Sequence, residues 1–428
     1  MKRIDRMIRR FGVATVGLGL CLVAGAALGA GAAGKTAVAE PKAAANAAGE
    51  ALSPVGAALA LLKKTPPDVE GAVAKFQELV GKDGANVDVH LGLGYALWLK
   101  GDAAAAEAAY KKALDVDGKS AAALASIGAL RLAAGSLNEA EESLRKATEI
   151  DAEDLTAKHN LAVVHRLKGE FDKAIAYDRE VLEKSPKLAA PHANIGLVYF
   201  AQKKYDLAVT ALRKALTLRP RYAEALNILG LVFLERKERD LAVHNFNEAL
   251  KIRPDLMAAR LNVASVFLRY LDFAGAEAEY RKVNATQPKN LEGLLGLGAA
   301  LWGQKKFPEV EKIYLAILEA DPKNATVAKR LGHVYQVFLR LPEKALKYYQ
   351  VYVDLAGSGI DAKDPVLQNI RVLKRQIEGG QKKEKTTSTD GDDKKGRDTK
   401  KPDSKNGEGK AKDGAPVKGA APSIDRVG

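Results

Sequence analysis

The sequence predicts an all-α protein, a solenoid of about nine helix-turn-helix units, and three observations lead to that prediction. The stretch from about Ser53 to Gly357 repeats itself every 34 residues. Within each repeat, apolar residues recur at spacings of three and four in two blocks that a polar turn separates, which is the pattern of two amphipathic helices. Most repeats also close on a proline, which has no N–H with which to continue the second helix; these are Pro186, Pro220, Pro254, Pro288 and Pro322.

Columns of small residues indicate that the first helix (helix A) and the second helix (helix B) of a repeat pack closely. The helix A column contains Ala60, Gly94, Gly128, Ala162, Gly196, Gly230, Ala264, Gly298 and Gly332. Twelve residues later, helix B carries an alanine from Ala72 to Ala276, and Val310 in the eighth repeat. Four residues further on stands a large residue, Phe76, Tyr110, Leu144, Leu212, Phe246, Tyr280 or Tyr314, with Asp178 as the exception. Small side chains let the two axes approach, and the large one fills the neighbouring hollow.

The repeat length, the small-residue pattern and the closing proline together resemble the tetratricopeptide repeat. The resemblance covers about 70% of the chain. It implies a right-handed superhelical solenoid in which the A helices line a concave groove that receives segments of partner proteins. It also implies a scaffold for protein–protein interaction.

The first 39 residues have the composition of a secretory signal peptide. Five basic residues precede an uncharged stretch from Phe11 to Gly34, and Ala37-Val38-Ala39 fits the small-residue cleavage pattern. We therefore expect export and a periplasmic or cell-envelope location. The alternative is an uncleaved anchor, and membrane contact is then expected only through this leader. The only cysteine, Cys21, lies within the leader, so no disulfide is expected in the exported chain.

The rest of the chain divides into four segments. An alanine-rich linker over residues 40–52 leads into nine repeats over residues 53–359, the ninth of which has one extra residue near Leu341-Pro342. A capping helix is predicted within residues 360–380, where Asp364-Pro365 begins it and Gly379-Gly380 ends it. Residues 381–428 are rich in Lys and Asp and contain no aromatic residue, which predicts a disordered tail.

Charge and motifs argue against nucleic acid as a partner and against catalysis. The formal net charge is +14, but about +5 of it falls in residues 1–39 and about +4 in the last 50 residues. No basic cluster remains in the repeats to mark a nucleic-acid footprint. The closest histidine pair, His159 and His165, is six residues apart, which places the two side chains about 240° apart around a helix and is wrong for a shared metal ion. We expect no catalytic, metal or cofactor site.

Candidate binding residues lie on the predicted inner face of the A helices. Two positions before the small residue stand Asn160, Asn194 and Asn262, and one repeat shifts its asparagine to Asn227. This resembles the asparagine ladder in the superhelix of O-linked N-acetylglucosamine transferase, which holds an extended peptide backbone. Further candidates on this face are Trp98, Arg166 and Trp302, and Lys329 and Arg330 form a basic step that resembles part of the carboxylate clamp of chaperone adaptors.

Two functions of different class follow from these observations. The first is a scaffold of the bacterial cell envelope that holds extended segments or helices of envelope proteins in its groove. The chain also has an overall resemblance to tetratricopeptide proteins of gliding-motility and pilus-assembly systems. The second is an accessory or regulatory subunit of a cell-envelope enzyme, such as the partner of a glycosyltransferase. A cytoplasmic RNA- or chaperone-binding module would require that the leader does not export the chain.

Overall fold

The computed structural model describes residues 53–389, with side chains to residue 379. The chain divides into two compact units after Ile370, and the repeats lie in the first unit. Residues 53–389 form helices joined by short turns, without β-strands, and this confirms the predicted all-α solenoid. The predicted signal peptide, the linker and the tail beyond residue 389 lie outside the described residues.

Eighteen helices within this range form nine consecutive A/B pairs, and a further helix follows them. The A helices are α1 Pro54–Leu62, α3 Val87–Lys100, α5 Ala121–Ala133, α7 Leu155–Leu167, α9 Ala189–Ala201, α11 Ala223–Glu235, α13 Met257–Arg269, α15 Leu291–Gly303 and α17 Ala325–His333. The B helices are α2 Val69–Lys82, α4 Ala103–Val116, α6 Leu137–Ile150, α8 Phe171–Lys184, α10 Tyr205–Leu218, α12 Arg239–Ile252, α14 Phe273–Thr286, α16 Phe307–Ala320 and α18 Pro342–Ala356. The last helix is α19, Pro365–Thr389.

The turn between helix A and helix B is built in the same way from the second repeat onward. One residue with positive φ ends each A helix, and this residue recurs every 34 positions: Gly101, Gly135, Gly169, Lys203, Lys237, Leu271 and Lys305. Polar side chains cap several helices at their N-termini. For example, Ser53 accepts a hydrogen bond from the amide of Gly56 at 3.0 Å, in agreement with the predicted start at Ser53-Pro54.

A glycine on helix A lies against a large side chain on helix B in most repeats. A Cβ atom on Gly94 would lie 2.5 Å from the ring of Tyr110, and one on Gly230 would lie 2.5 Å from the ring of Phe246. Ordinary carbon–carbon contacts are about 3.5–4.0 Å. The small-residue column therefore allows the close approach that the sequence predicts, and the ring lies directly over the glycine.

In two other repeats, the ring at the same position of helix B contacts a glycine of the next repeat. Phe76 touches Gly92, and Tyr280 touches Gly296, so closely that a Cβ on either glycine would overlap the ring. In both pairs the glycine follows the ring by 16 residues. The large residues of helix B therefore pack against a glycine of their own repeat in some repeats and against a glycine of the following repeat in others.

The extra residue of the ninth repeat is absorbed in a π-helix. Residues Val334–Leu339 form this segment at the end of α17. The positive-φ residue that ends it is Arg340, one position later than the 34-residue spacing from Lys305 requires. A π-turn contains one residue more than an α-turn, so it restores the register before α18 begins at Pro342.

The last helix differs from its predicted length. α19 begins at Pro365 as expected, and Val366 and Ile370 are buried. It does not end at Gly379-Gly380 but continues to Thr389. Glycine lowers helix stability by about 1 kcal/mol relative to alanine but does not forbid a helix. The following residues, Gln381 to Lys385, have high helix propensity, and no proline follows the glycines to stop the helix.

Replacing Gly230 with alanine tests whether the close contact between the helices holds a repeat together. The new methyl group would overlap the ring of Phe246, so we expect Gly230→Ala to destabilise the protein by about 1–3 kcal/mol. The matched control is Gly81→Ala in α2, where a Cβ would meet no atom within 4 Å. There the substitution should stabilise the protein by about 0.5–1 kcal/mol. Urea unfolding of both variants checks the prediction, and equal effects would contradict it.

Candidate functional site

Consecutive A helices lie against one another and together line one surface of the repeats. From α5 to α15, each A helix contacts the A helix of the next repeat. We call this the A-helix surface. Six of the candidate binding residues stand on these helices, namely Asn160, Arg166, Asn194, Asn227, Asn262 and Trp302, whereas Trp98 stands on α3 and Lys329 and Arg330 stand on α17.

The four asparagines of the predicted ladder are buried. Asn160, Asn194, Asn227 and Asn262 each have 5% or less of their surface exposed. Asn262 donates from Nδ2 to Oδ1 of Asn227 at 2.9 Å, which joins α11 to α13. Asn194 makes hydrogen bonds through both its amide oxygen and its amide nitrogen. The structure therefore corrects the expectation of an open ladder, because all four side chains are buried and three of them, Asn194, Asn227 and Asn262, bond to side chains of neighbouring helices.

A cluster of four polar side chains, hereafter the polar cluster, lies where the fourth repeat meets the fifth. Its members are His159, Arg166, Asp178 and Asn194. Asp178 of α8 is fully buried, and its Oδ1 lies 2.6 Å from Nδ1 of His159. Its Oδ2 accepts a hydrogen bond from Nδ2 of Asn194 at 2.7 Å, and Oδ1 of Asn194 accepts one from Nε of Arg166 at 2.6 Å. The cluster thus links α7, α8 and α9 through a continuous chain of hydrogen bonds.

Asp178 and Asn194 replace an aromatic–glycine pair found in other repeats. Asp178 is the exception in the column of large residues, and Asn194 follows it by 16 positions, as Gly92 follows Phe76 and Gly296 follows Tyr280. The shorter Asp178 side chain leaves room in which the Asn194 amide reaches its carboxylate. Sequence reasoning identified Arg166 and Asn194 but missed Asp178 and His159. The 16-residue spacing from Asp178 to Asn194 was a signal that could have identified Asp178, but it does not lead to His159.

Burial dominates the electrostatics of the polar cluster. It lowers the pKa of Arg166 to about 10, and the nearby charge of Asp178 acts in the opposite direction. The guanidinium remains charged at neutral pH. A buried charge of this kind is costly unless other groups compensate it.

A second group of side chains, the aromatic cluster, lies between the eighth and ninth repeats. It consists of Trp302, Phe307, His333 and Phe338. Trp302 of α15 stacks on His333 of α17 at 6.0 Å between ring centroids, and Phe307 stacks on Phe338 at 3.7 Å. Phe338 lies in the π-helix and is 39% exposed. The predicted binding residue Trp302 is therefore part of a larger aromatic surface, which the sequence did not reveal because the π-helix brings Phe338 into it.

The basic step at the end of the A-helix surface is engaged within the protein. Nζ of Lys329 lies 2.8 Å from Oδ2 of Asp364, and Tyr352 donates to the same oxygen at 2.7 Å. Burial alone would raise the pKa of Asp364, but hydrogen bonds from Lys329, Tyr352 and the amide of Val366 outweigh it and lower the pKa. Arg330 interacts with the hydroxyl of buried Tyr314. The structure thus corrects the partial carboxylate clamp, because Lys329 secures the start of α19.

Trp98, the remaining candidate, packs against the apolar core of the first repeats. Its indole N–H is buried and has no hydrogen-bond partner among residues 53–379. Over the same residues, no three His, Cys, Asp or Glu side chains converge in a way that could hold a metal ion.

Comparison with known protein families identifies the repeats. A tetratricopeptide repeat model matches residues 68–123, 126–189 and 261–325, and two further models of the same repeat match residues 196–237 and 223–256. These ranges include more than half of the chain. The chain belongs to the tetratricopeptide repeat proteins, whose repeats bind other proteins or peptides and are generally non-enzymatic scaffolds. No curated protein sequence matches the chain significantly.

Several solved structures share the fold. The APC/C hetero-tetramer Cut9–Hcn1 aligns over 75% of this chain and 55% of its own, with 16% identity and a TM-score of 0.47. The human IFIT1 dimer with PPP-AAAA aligns over 71% of this chain and 73% of its own, with 19% identity and a TM-score of 0.46. PilF of Pseudomonas aeruginosa aligns over 50% of this chain and 96% of its own, with 20% identity and a TM-score of 0.41. At these values the likeness shows the fold alone.

Proposed function

We propose that this protein is an exported scaffold of the bacterial cell envelope, which holds segments of partner proteins on its A-helix surface and so assembles or maintains a multi-protein complex. The observation that carries the scaffold role is the aromatic cluster, where Phe338 and its neighbour Val337 are 39% and 47% exposed. Exposed aromatic area next to a continuous helical surface is typical of a site that a partner covers. A complex that builds pili or drives gliding is the form of this proposal that the sequence resemblance favours.

The location rests on the first 39 residues, whose basic start and uncharged stretch are those of an export signal. Within residues 53–389, no helix has both the length and the hydrophobicity needed to cross a membrane. Export would therefore place the repeats, with their aromatic cluster, among the proteins of the envelope.

Fusing residues 1–45 to a reporter that is active only outside the cytoplasm tests the location. We expect activity, because the basic and uncharged parts of the signal stand in the required order. The control carries Leu20→Arg and Leu22→Arg, which place two charges in the uncharged stretch and should abolish the activity. A silent wild-type fusion that stays in the cytoplasm would overturn the envelope location.

Replacing Phe338 tests the partner-binding surface. We expect Phe338→Ser to lower the recovery of co-purifying envelope proteins at least tenfold, because it removes an exposed apolar ring of the aromatic cluster. The matched control is Leu315→Ser on helix B of the eighth repeat, where a similar fraction, 36%, of the side chain is exposed. The control should retain the partners.

The same purification separates the two classes of function. Structural envelope proteins in the eluate support a scaffold, and a catalytic chain supports an accessory subunit of an enzyme. Thermal unfolding of both variants shows whether they are equally well folded, so that a loss of partner proteins can be attributed to the surface and not to unfolding. Equal recovery with Phe338→Ser and Leu315→Ser would show that the aromatic cluster is not the binding surface.

A further inference from the structure

Arg166 is a buried arginine of helix A that has no carboxylate beside it, unlike Arg131 and Arg260 on two other A helices. Arg131 has Glu107 and Glu139 at 3.6 Å, and Arg260 has Glu279 at 2.9 Å. Arg166 is 8% exposed, and no carboxylate oxygen lies within 4.0 Å of its guanidinium among residues 53–379. Its hydrogen bond to Asn194 uses only Nε. A charged group has thus been taken out of water without the ion pair that Arg131 and Arg260 possess.

Asp178 does not supply the missing contact, because both of its oxygens are engaged. Oδ1 lies against Nδ1 of His159, and Oδ2 accepts from Asn194. Asn194, held in this way, presents its own oxygen to Nε of Arg166. Asp178 therefore positions Arg166 through the side-chain amide of Asn194. The edge of the guanidinium that carries Nη1 and Nη2, hereafter the outer edge, makes no hydrogen bond to these residues.

The outer edge of Arg166 has the geometry of a carboxylate receptor. No side chain of residues 53–379 accepts a hydrogen bond from Nη1 or Nη2, and neither atom is sealed from solvent. Two parallel N–H groups on one edge of a guanidinium match the two oxygens of a carboxylate. The side chain as a whole is only 8% exposed, so water screens its charge weakly. In such surroundings a charge-assisted hydrogen bond is stronger than in water.

We propose that Arg166 binds a carboxylate of the partner, and that the partner segment held on the A-helix surface at the fourth and fifth repeats is acidic. This rests on the proposed function, since it names the chemistry of a segment bound to that surface. A carboxylate on Nη1 and Nη2 completes the ion pair that Arg166 lacks. Asp178 acts as a positioning residue, and its negative charge also weakens the attraction of an incoming anion.

Binding of a defined acidic peptide tests the proposal. The probe is a fluorescein-labelled decaglutamate blocked at both ends, with decaglutamine as the uncharged reference, and fluorescence anisotropy reports binding to the purified protein. We expect wild-type protein to bind decaglutamate more tightly than decaglutamine and Arg166→Gln to weaken decaglutamate binding at least tenfold. The matched control is Arg179→Gln, which removes the same charge from an exposed position on α8 of the same repeat. It should change the affinity less than twofold.

Two further variants keep the test decisive if Arg166→Gln does not fold. Arg166→Lys retains the charge without the two parallel N–H groups and should weaken binding severalfold. Asp178→Asn keeps the shape of the side chain and removes the opposing charge, so it should tighten binding severalfold, whereas a purely structural role would weaken it. Circular dichroism confirms folding of each variant.

Three results would overturn the proposal: no preference of the wild type for decaglutamate, equal losses in the two arginine variants, or weaker binding in Asp178→Asn. The recovery of envelope partners, measured with the same variants, keeps this proposal separate from the proposed function. If partners are retained by Arg166→Gln and lost by Phe338→Ser, the acidic-segment proposal alone fails. If the wild type retains no partner, the scaffold proposal fails.

Discussion

The contact between a small residue of helix A and a large side chain of helix B sets the distance between the two helices of a repeat. Gly94 and Tyr110, or Gly230 and Phe246, can lie this close only because the glycine has no Cβ. At the same position of helix B in two other repeats, the rings of Phe76 and Tyr280 touch a glycine of the next repeat and so join repeat to repeat. The A helices are thereby brought side by side, and the surface that they line depends on this packing.

The fourth repeat departs from this packing, because polar side chains take the place of the large apolar residue and of the glycine that it contacts. Asp178 stands where other repeats have a ring or a leucine, and Asn194 fills the space in front of it. Buried charges rarely stabilise a protein more than well-packed apolar residues do. The polar cluster is therefore better explained by what it presents to the A-helix surface, the outer edge of Arg166, than by what it adds to the stability of the core.

Features fixed by local spacing could be predicted from the sequence. The helix pairs, the start at Ser53-Pro54 and the extra residue of the ninth repeat follow from periodicity, capping and register. The contacts of polar side chains could not be predicted, because they depend on which residues of other helices lie next to each side chain in the fold. Asn262 was expected to face a partner and instead bonds to Asn227, and Lys329 bonds to Asp364 from beyond its own repeat. The aromatic cluster was missed because a π-helix moves Phe338 out of the 34-residue register.

Transplanting the packing of the sixth repeat into the fourth tests most directly whether the polar cluster serves binding and not stability. The sixth repeat carries Asn227, Gly230, Leu234 and Phe246 at the corresponding positions, so the variant is His159→Asn, Ala162→Gly, Arg166→Leu and Asp178→Phe. In this variant, the asparagine at position 159 can accept a hydrogen bond from Asn194, as Asn227 accepts one from Asn262. The measurement is the midpoint of urea unfolding. Our account predicts a midpoint equal to or above that of the wild type, and a clearly lower midpoint in a folded variant would contradict it.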